Sequence, residues 1–259
     1  MDIRLYYREE GAGFPLILLH GNGEDGSYFA HQTEDFKDQY RVIAVDTRGH
    51  GQSPRGEKPF TIRQFARDLR DFMDERGIEK AHILGFSGGG NIALVFALLY
   101  PERVDHLILN GANLDASGIR LPVWIPIITG YRWARLQIKF TELLTSGRAG
   151  AKLLPAGIRK RLRKKREQAE RAFELLGLMV NDPNIPEKRL MNNRNPAFRK
   201  MKKLVMAGDR DMIKDRHTRR IAACLPNAEL VILHGTHFIA KEEYRTFDRV
   251  VESFLRDDA

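Results

Sequence analysis

Gly85-Phe86-Ser87-Gly88-Gly89 is a G-x-S-x-G stretch set between an apolar run, Ala81-His82-Ile83-Leu84, and a helix-forming run from Asn91 to Tyr100. The flanks decide how it reads. A serine hydroxyl is a poor nucleophile unless the backbone presents it well and a base takes its proton. A sharp strand-to-helix turn does the first, and glycines two residues before and after let the backbone pass close by. The helix that begins there aims free N–H groups and a partial positive charge at the same point. The bland alternative is an ordinary glycine-rich connection, which the five letters alone do not exclude.

Outward from this stretch, short apolar runs recur at Pro15–His20, Val42–Asp46, Ala81–Gly85, His106–Asn110, Lys203–Ala207 and Glu229–Leu233. Continuous apolar character suggests strands buried on both faces. Between them, Ile62, Phe65, Leu69, Phe72 and Met73 recur at helical spacing within Thr61–Arg76, and Gly77 ends that run as a helix C-cap would. The alternation predicts a doubly wound, mostly parallel α/β sheet with right-handed crossovers. It stops after Asn113 and resumes near Lys203. In between come Pro122, Pro126 and Pro155, the aromatic pair Tyr131 and Trp133, and the basic run Arg159-Lys160-Arg161-Leu162-Arg163-Lys164-Lys165-Arg166. Leu162, Ala169, Phe173 and Leu176 give this segment one face to pack. We therefore expect a core of residues 1–114 and 199–259 interrupted by a helical cap of residues 115–198.

With 259 residues, 42% of them hydrophobic and 9% aromatic, the chain can bury a full core. Its single Cys224 excludes an internal disulfide framework and reads as a small buried hydrophobe. The opening Met1-Asp2-Ile3-Arg4 carries no secretory pattern, and no stretch approaches the roughly 18 apolar residues of a membrane span, so a soluble cytoplasmic protein is expected. The formal charge of +9 is unevenly placed. Ala116 to Lys200 holds 19 Lys and Arg against 6 Asp and Glu, a net of +13, and the remainder is net −4.

A nucleophilic serine needs a base, an orienter for that base and donors for the developing oxyanion. Open α/β sheets place such groups at strand ends. The base candidate is His237 in His234-Gly235-Thr236-His237-Phe238, just after the last apolar run. His234 and His237 stand three apart but lack further ligands of fitting spacing, so no metal site is expected. Ala207-Gly208-Asp209-Arg210-Asp211 offers two orienting acids. Asp211, deeper in the turn, is favoured, and Asp209 reads as a turn-capping aspartate. Oxyanion donors are the N–H of Gly88 and one from His20-Gly21-Asn22-Gly23, Asn22 first and Gly23 next. His20 itself reads as a residue that holds this loop.

Assembled, these residues resemble the α/β-hydrolase superfamily over nearly the whole chain. The resemblance rests on His20-Gly21, Asp46-Thr47-Arg48-Gly49-His50-Gly51-Gln52-Ser53, Gly85-Phe86-Ser87-Gly88-Gly89, Gly208-Asp209-Arg210-Asp211 and Gly235-Thr236-His237-Phe238. The order Ser, Asp, His is the family's order, and the family commonly inserts a cap before the acid. The resemblance implies Ser87 as nucleophile, His237 as base, Asp211 as acid, and Gly88 with Asn22 as oxyanion donors. It also implies that Asp46–Ser53 is a structural loop lining one wall. Two departures bear on the substrate: Gly88 is small for its slot, and the acid loop reads Met212-Ile213-Lys214 where a proline is common.

Gly21-Asn22-Gly23-Glu24-Asp25-Gly26 is also a literal G-x-G-x-x-G, followed 20 residues on by Asp46, which matches the dinucleotide fingerprint. Glu24 and Asp25 would set negative charge where a pyrophosphate sits, and Ser87, Asp211 and His237 would lose their shared role. No cofactor is expected. The basic cap reads first as a solvated helix face. Its functional alternatives are attraction of an acidic ligand, contact with an anionic surface or a protein partner. No recognition motif supports nucleic-acid binding. The expected function is a serine hydrolase acting on a small acyl substrate, foremost a carboxylic ester, with thioester, amide or C–C cleavage behind it. The non-enzyme alternative is a small-molecule receptor or scaffold on the same fold.

Overall fold

The structure, a computed structural model, describes residues 2–145 and 154–256. A seven-stranded sheet runs in the order β1-β3-β2-β4-β5-β6-β7. The strands are β1 (Tyr7–Glu10), β2 (Phe14–Leu19), β3 (Tyr40–Val45), β4 (Ala81–Phe86), β5 (Val104–Asn110), β6 (Lys202–Gly208) and β7 (Ala228–Leu233). Every pairing is parallel except β1 with β3. The sheet is the doubly wound one read from the sequence, with one strand the apolar pattern did not reveal. That strand, β1, is Tyr-Arg-Glu-Glu on an exposed edge, so it buries almost nothing and carries no hydrophobic signal. Its Glu9 forms an ion pair with Arg41 of β3 at 2.8 Å.

The period-2 pleat explains the continuous apolar runs. In β2, Ile17 and Leu19 face a layer formed by α2 (Ile62–Glu75), α3 (Gly88–Leu99) and α8 (Asp215–Cys224). Leu16 and Leu18 face the opposite layer, where α1 (Ala30–Phe36) and α10 (Tyr244–Arg256) pack. Thr61 caps α2 by accepting from the Gln64 N–H at 3.2 Å, and Gly77 follows the helix at φ 62°. Cys224 is buried, as its sequence context implied.

Between β5 and β6 lie α4 (Leu121–Thr145), α5 (Ala156–Asn181), α6 (Glu187–Met191) and α7 (Pro196–Lys200). The helices α4 and α5 pack on each other: Tyr131 stacks on Phe173 with centroids 4.6 Å apart, and Ala169 is buried between them. The basic run forms the exposed first half of α5. Lys203 is fully buried where the inserted segment returns to the sheet. Its Nζ donates to the carbonyls of Phe198, Met201 and Pro226 at 2.6, 2.7 and 2.9 Å.

Asp248 on α10 packs against α1, where its Oδ1 accepts from Gln32 Nε2 at 2.9 Å. Burial, reinforced by the neighbouring Asp35 carboxyl, pushes its pKa from 3.8 to about 8. The folded protein thus holds a proton that the unfolded chain releases, so this contribution to stability is fully present below about pH 4 and is lost progressively as pH rises to about 8. The stability lost between pH 7 and 9 is about 1 kcal/mol, most of it below pH 8, so over that interval the melting temperature should fall about 2–4 °C more for the parent than for Asp248→Asn. Parallel melting curves for the two would place the extra proton elsewhere.

Candidate active site

Ser87 sits between β4 and α3 at φ 51°, ψ −115°, a conformation that non-glycine residues seldom adopt. Two contacts hold it there. Its N–H donates to the Asn110 carbonyl of β5 at 2.7 Å, and its carbonyl accepts from the Asn91 N–H at 3.0 Å. The flanking glycines are there for space. A Cβ on Gly89 would overlap the Leu19 carbonyl oxygen of β2, and one on Gly85 would overlap that of Gly89. The first turn of α3 therefore lies directly on the sheet, with its unpaired N–H groups beside the serine.

His237, between β7 and α9 (Ile239–Glu242), donates from Nδ1 to Asp211 Oδ1 at 2.7 Å. Both residues are buried. The same Asp211 oxygen accepts from the Ile213 N–H at 2.7 Å, which fixes the carboxylate. Arg120 braces the loop by donating to the Asp211 carbonyl at 2.7 Å. Asp209 is exposed and turned away: it pairs with His234 Nδ1 at 2.9 Å and accepts from the Gly235 N–H at 3.0 Å. The backbone N–H of Gly235, then His234, holds its carboxyl below the usual range. The structure thus pairs His237 with Asp211 and His234 with Asp209. His237 Nε2 is buried and makes no hydrogen bond, so imidazole and Ser87 hydroxyl are not linked in this conformation. Such bonds often tighten only when substrate binds.

Across from Ser87, the loop after β2 comes close to the start of α3. A Cβ on Gly88 would stand 3.2 Å from the Asn22 nitrogen, which explains the small residue in this slot. Asn22 Nδ2 donates to the Leu175 carbonyl of α5 at 2.8 Å, joining this loop to the inserted helices. His20 holds the loop: Nδ1 bonds the Gly21 carbonyl at 2.7 Å, and Nε2 accepts from the Thr47 N–H at 3.0 Å. Burial lowers its pKa to about 4, so it is neutral at physiological pH. The carboxylates of the G-x-G-x-x-G segment are occupied internally. Glu24 accepts from the Gly21 N–H, Asp25 from that of Ser27, and Asp46 from those of Gly26 and Gln52.

The cavity at Ser87 is small, about 30 Å³, room for about one or two waters. Gly88 and Asn22 form one wall, and Ile62, Phe65, Ile92 and Met212 another. Leu178 and Met179 of α5 also line it. Thr47, His50, Asn91 and Asn113 add polar groups, and the two asparagines bond each other at 3.0 Å. Among the described residues, His82, Asp105 and His106 are close enough together to share a metal ion. They lie at the opposite end of the sheet, and Lys80 already pairs with Asp105.

Sequence reasoning missed Gly111, directly after β5 at φ 62°. A Cβ there would approach His237 Cε1 to 2.7 Å and Nδ1 to 2.9 Å, so Gly111 is the seat of the ring. A lone glycine after an apolar run gives no hint of a partner 126 positions away. It also missed Arg120, the Asn91–Asn113 pair and the reach of Asn22 to the inserted helices, all of them contacts between distant segments.

The sequence profile of the α/β-hydrolase fold family matches residues 15–244. A putative carbamate hydrolase of Azorhizobium caulinodans is 40% identical over 111 residues, 42% of this chain and 42% of that protein. The 2-hydroxy-6-oxononadienedioate/2-hydroxy-6-oxononatrienedioate hydrolase of Paraburkholderia phymatum is 41% identical over 131 residues, 47% of this chain and 44% of that protein. The matched parts span less than half of each of these relatives. Among solved structures, a hydrolase from Pseudomonas aeruginosa superposes with a TM-score of 0.73 at 23% identity, covering 98% of this chain and 95% of that one. The enol-lactonase from Burkholderia xenovorans gives 0.73 at 22% identity, covering 98% and 97%. At these identities the likeness is one of fold.

The proton shared by His237 and Asp211 should appear as a low-field resonance in proton NMR. Gly111→Ala is expected to remove or shift it by displacing the ring, with the far-ultraviolet circular dichroism unchanged. An unchanged resonance would show that Gly111 does not seat His237.

Proposed function

Because the chain belongs to the α/β-hydrolase family, we propose that it is a serine hydrolase cleaving a carboxylic ester through Ser87, His237 and Asp211. The observation that carries this reading is the 2.7 Å bond from His237 Nδ1 to the buried Asp211, in a protein that also holds Ser87 at a strained strand-to-helix turn. Asp211 selects the tautomer with the Nδ1 proton, which leaves the Nε2 lone pair to accept one. In the proposed reaction, Ser87 Oγ attacks the acyl carbonyl as His237 takes its proton. The oxyanion is met by the N–H groups of Gly88 and Asn22, and His237 then hands its proton to the departing alcohol. Water, activated by the same histidine, releases the acid and regenerates Ser87. No cofactor takes part, and the protein acts in the cytoplasm.

Relatives named as a putative carbamate hydrolase and as a 2-hydroxy-6-oxononadienedioate/2-hydroxy-6-oxononatrienedioate hydrolase support hydrolysis in general. The small cavity favours a compact acyl group over a long chain. In a series of p-nitrophenyl esters, turnover should therefore peak at short acyl chains. Asp211→Asn should lower kcat about 10⁴-fold, as wrong-tautomer variants of such triads do, with Asp209→Asn little changed. The reverse ranking would move the acid to Asp209. Ester turnover that persists in Ser87→Ala would end the serine-hydrolase reading.

A further inference from the structure

Six of the large hydrophobic side chains most open to solvent lie on one helix: Leu121, Ile125, Trp133, Leu136, Phe140 and Leu143 of α4. At about 100° per residue they fall within an arc of about 120°. That arc is opposite Ile127, Ala134 and Thr141, the buried residues by which α4 packs. An apolar stripe on the outer face of a helix is not explained by the core. Arg132, Arg135 and Lys139 are exposed and lie along one edge of the same stripe.

We propose that this face of α4 docks on an anionic lipid bilayer, lying in its interface. The outer stripe, with Trp133 in it, supplies the apolar face such helices bury among the acyl chains, and the basic edge meets the headgroups. The charge argues against a second copy of this chain as the occupant. Ala116 to Lys200 carries a net of +13, and two such segments placed face to face would repel. The same charge adds attraction to an anionic surface. No helix among the described residues is long and apolar enough to cross a membrane, so α4 lies on the bilayer and does not span it. The surface is independent of the reaction assigned to Ser87.

The test is cosedimentation of the full chain with phosphatidylcholine vesicles, with and without phosphatidylglycerol, at low and high salt. The chain should pellet with the anionic vesicles at low salt and far less with the neutral ones. Replacing Arg132, Arg135 and Lys139 together by Gln should weaken this binding about 100-fold. In a Trp124→Phe background, which leaves Trp133 as the reporter, emission should shift to the blue on binding. Leu136→Gln with Phe140→Gln should abolish that shift without changing the melting temperature. No pelleting, or equal pelleting of parent and variants, would overturn the proposal. So would a parent dimer in sedimentation velocity that the Leu136→Gln, Phe140→Gln variant dissolves and anionic vesicles do not disrupt.

Discussion

The close approach of α3 to the sheet is the constraint on which the rest of the site depends. Gly89 lies so near the Leu19 carbonyl that any side chain would collide with β2, and this contact sets the sharp turn at Ser87. The turn holds a serine at φ 51°, a strain of order 1–3 kcal/mol that only an over-determined surrounding can sustain. That surrounding is the parallel centre of the sheet. Ser87 is tied to β5 through Asn110, and β5 delivers Gly111 beneath His237. Ser87, His237 and the loop after β2 are thus all referenced to the same few strand ends. Small displacements at any one of them would reach the others.

The inserted helices act on this core from above. Leu178 and Met179 line the cavity, and Asn22 reaches from the loop after β2 to the Leu175 carbonyl of the same helix. Arg55 pairs with Glu174, and Asp182 accepts from the first N–H of α2 at 3.0 Å. The parts of α5 nearest the catalytic end are fastened to the core, while its basic first half projects into solvent. One helix pair thereby presents two different surfaces. Residues of α5 line the cavity at Ser87, while α4 carries the exposed apolar stripe and the first half of α5 an exposed basic run.

Legibility in the sequence followed burial and locality. Strands in the sheet centre announced themselves because both of their faces are covered, as with Ile83 and Leu84 of β4. The polar edge strand β1 left no trace for the same reason in reverse. Ser87, Asp211 and His237 stood out as candidates because each follows an apolar run. The choice of Asp211 over Asp209 rested on position in a turn, and the structure separates the two sharply, one buried on His237 and the other exposed on His234. Gly111, Arg120 and the Asn22 side chain could not be read, since each matters only through a partner far away in the chain. The apolar stripe of α4 was hidden too: hydrophobic periodicity shows that a helix has an apolar face but not whether anything covers it.

The central claim is that the turn before α3 makes Ser87 a nucleophile, and covalent capture tests it most directly. A fluorophosphonate should add one phosphonyl group to the folded protein, and peptide mass mapping should find it on Ser87. Ser87→Ala should stay unmodified, and unfolding the protein beforehand should prevent the reaction. An adduct of equal yield on Ser87→Ala, or on another serine of the parent, would contradict the claim.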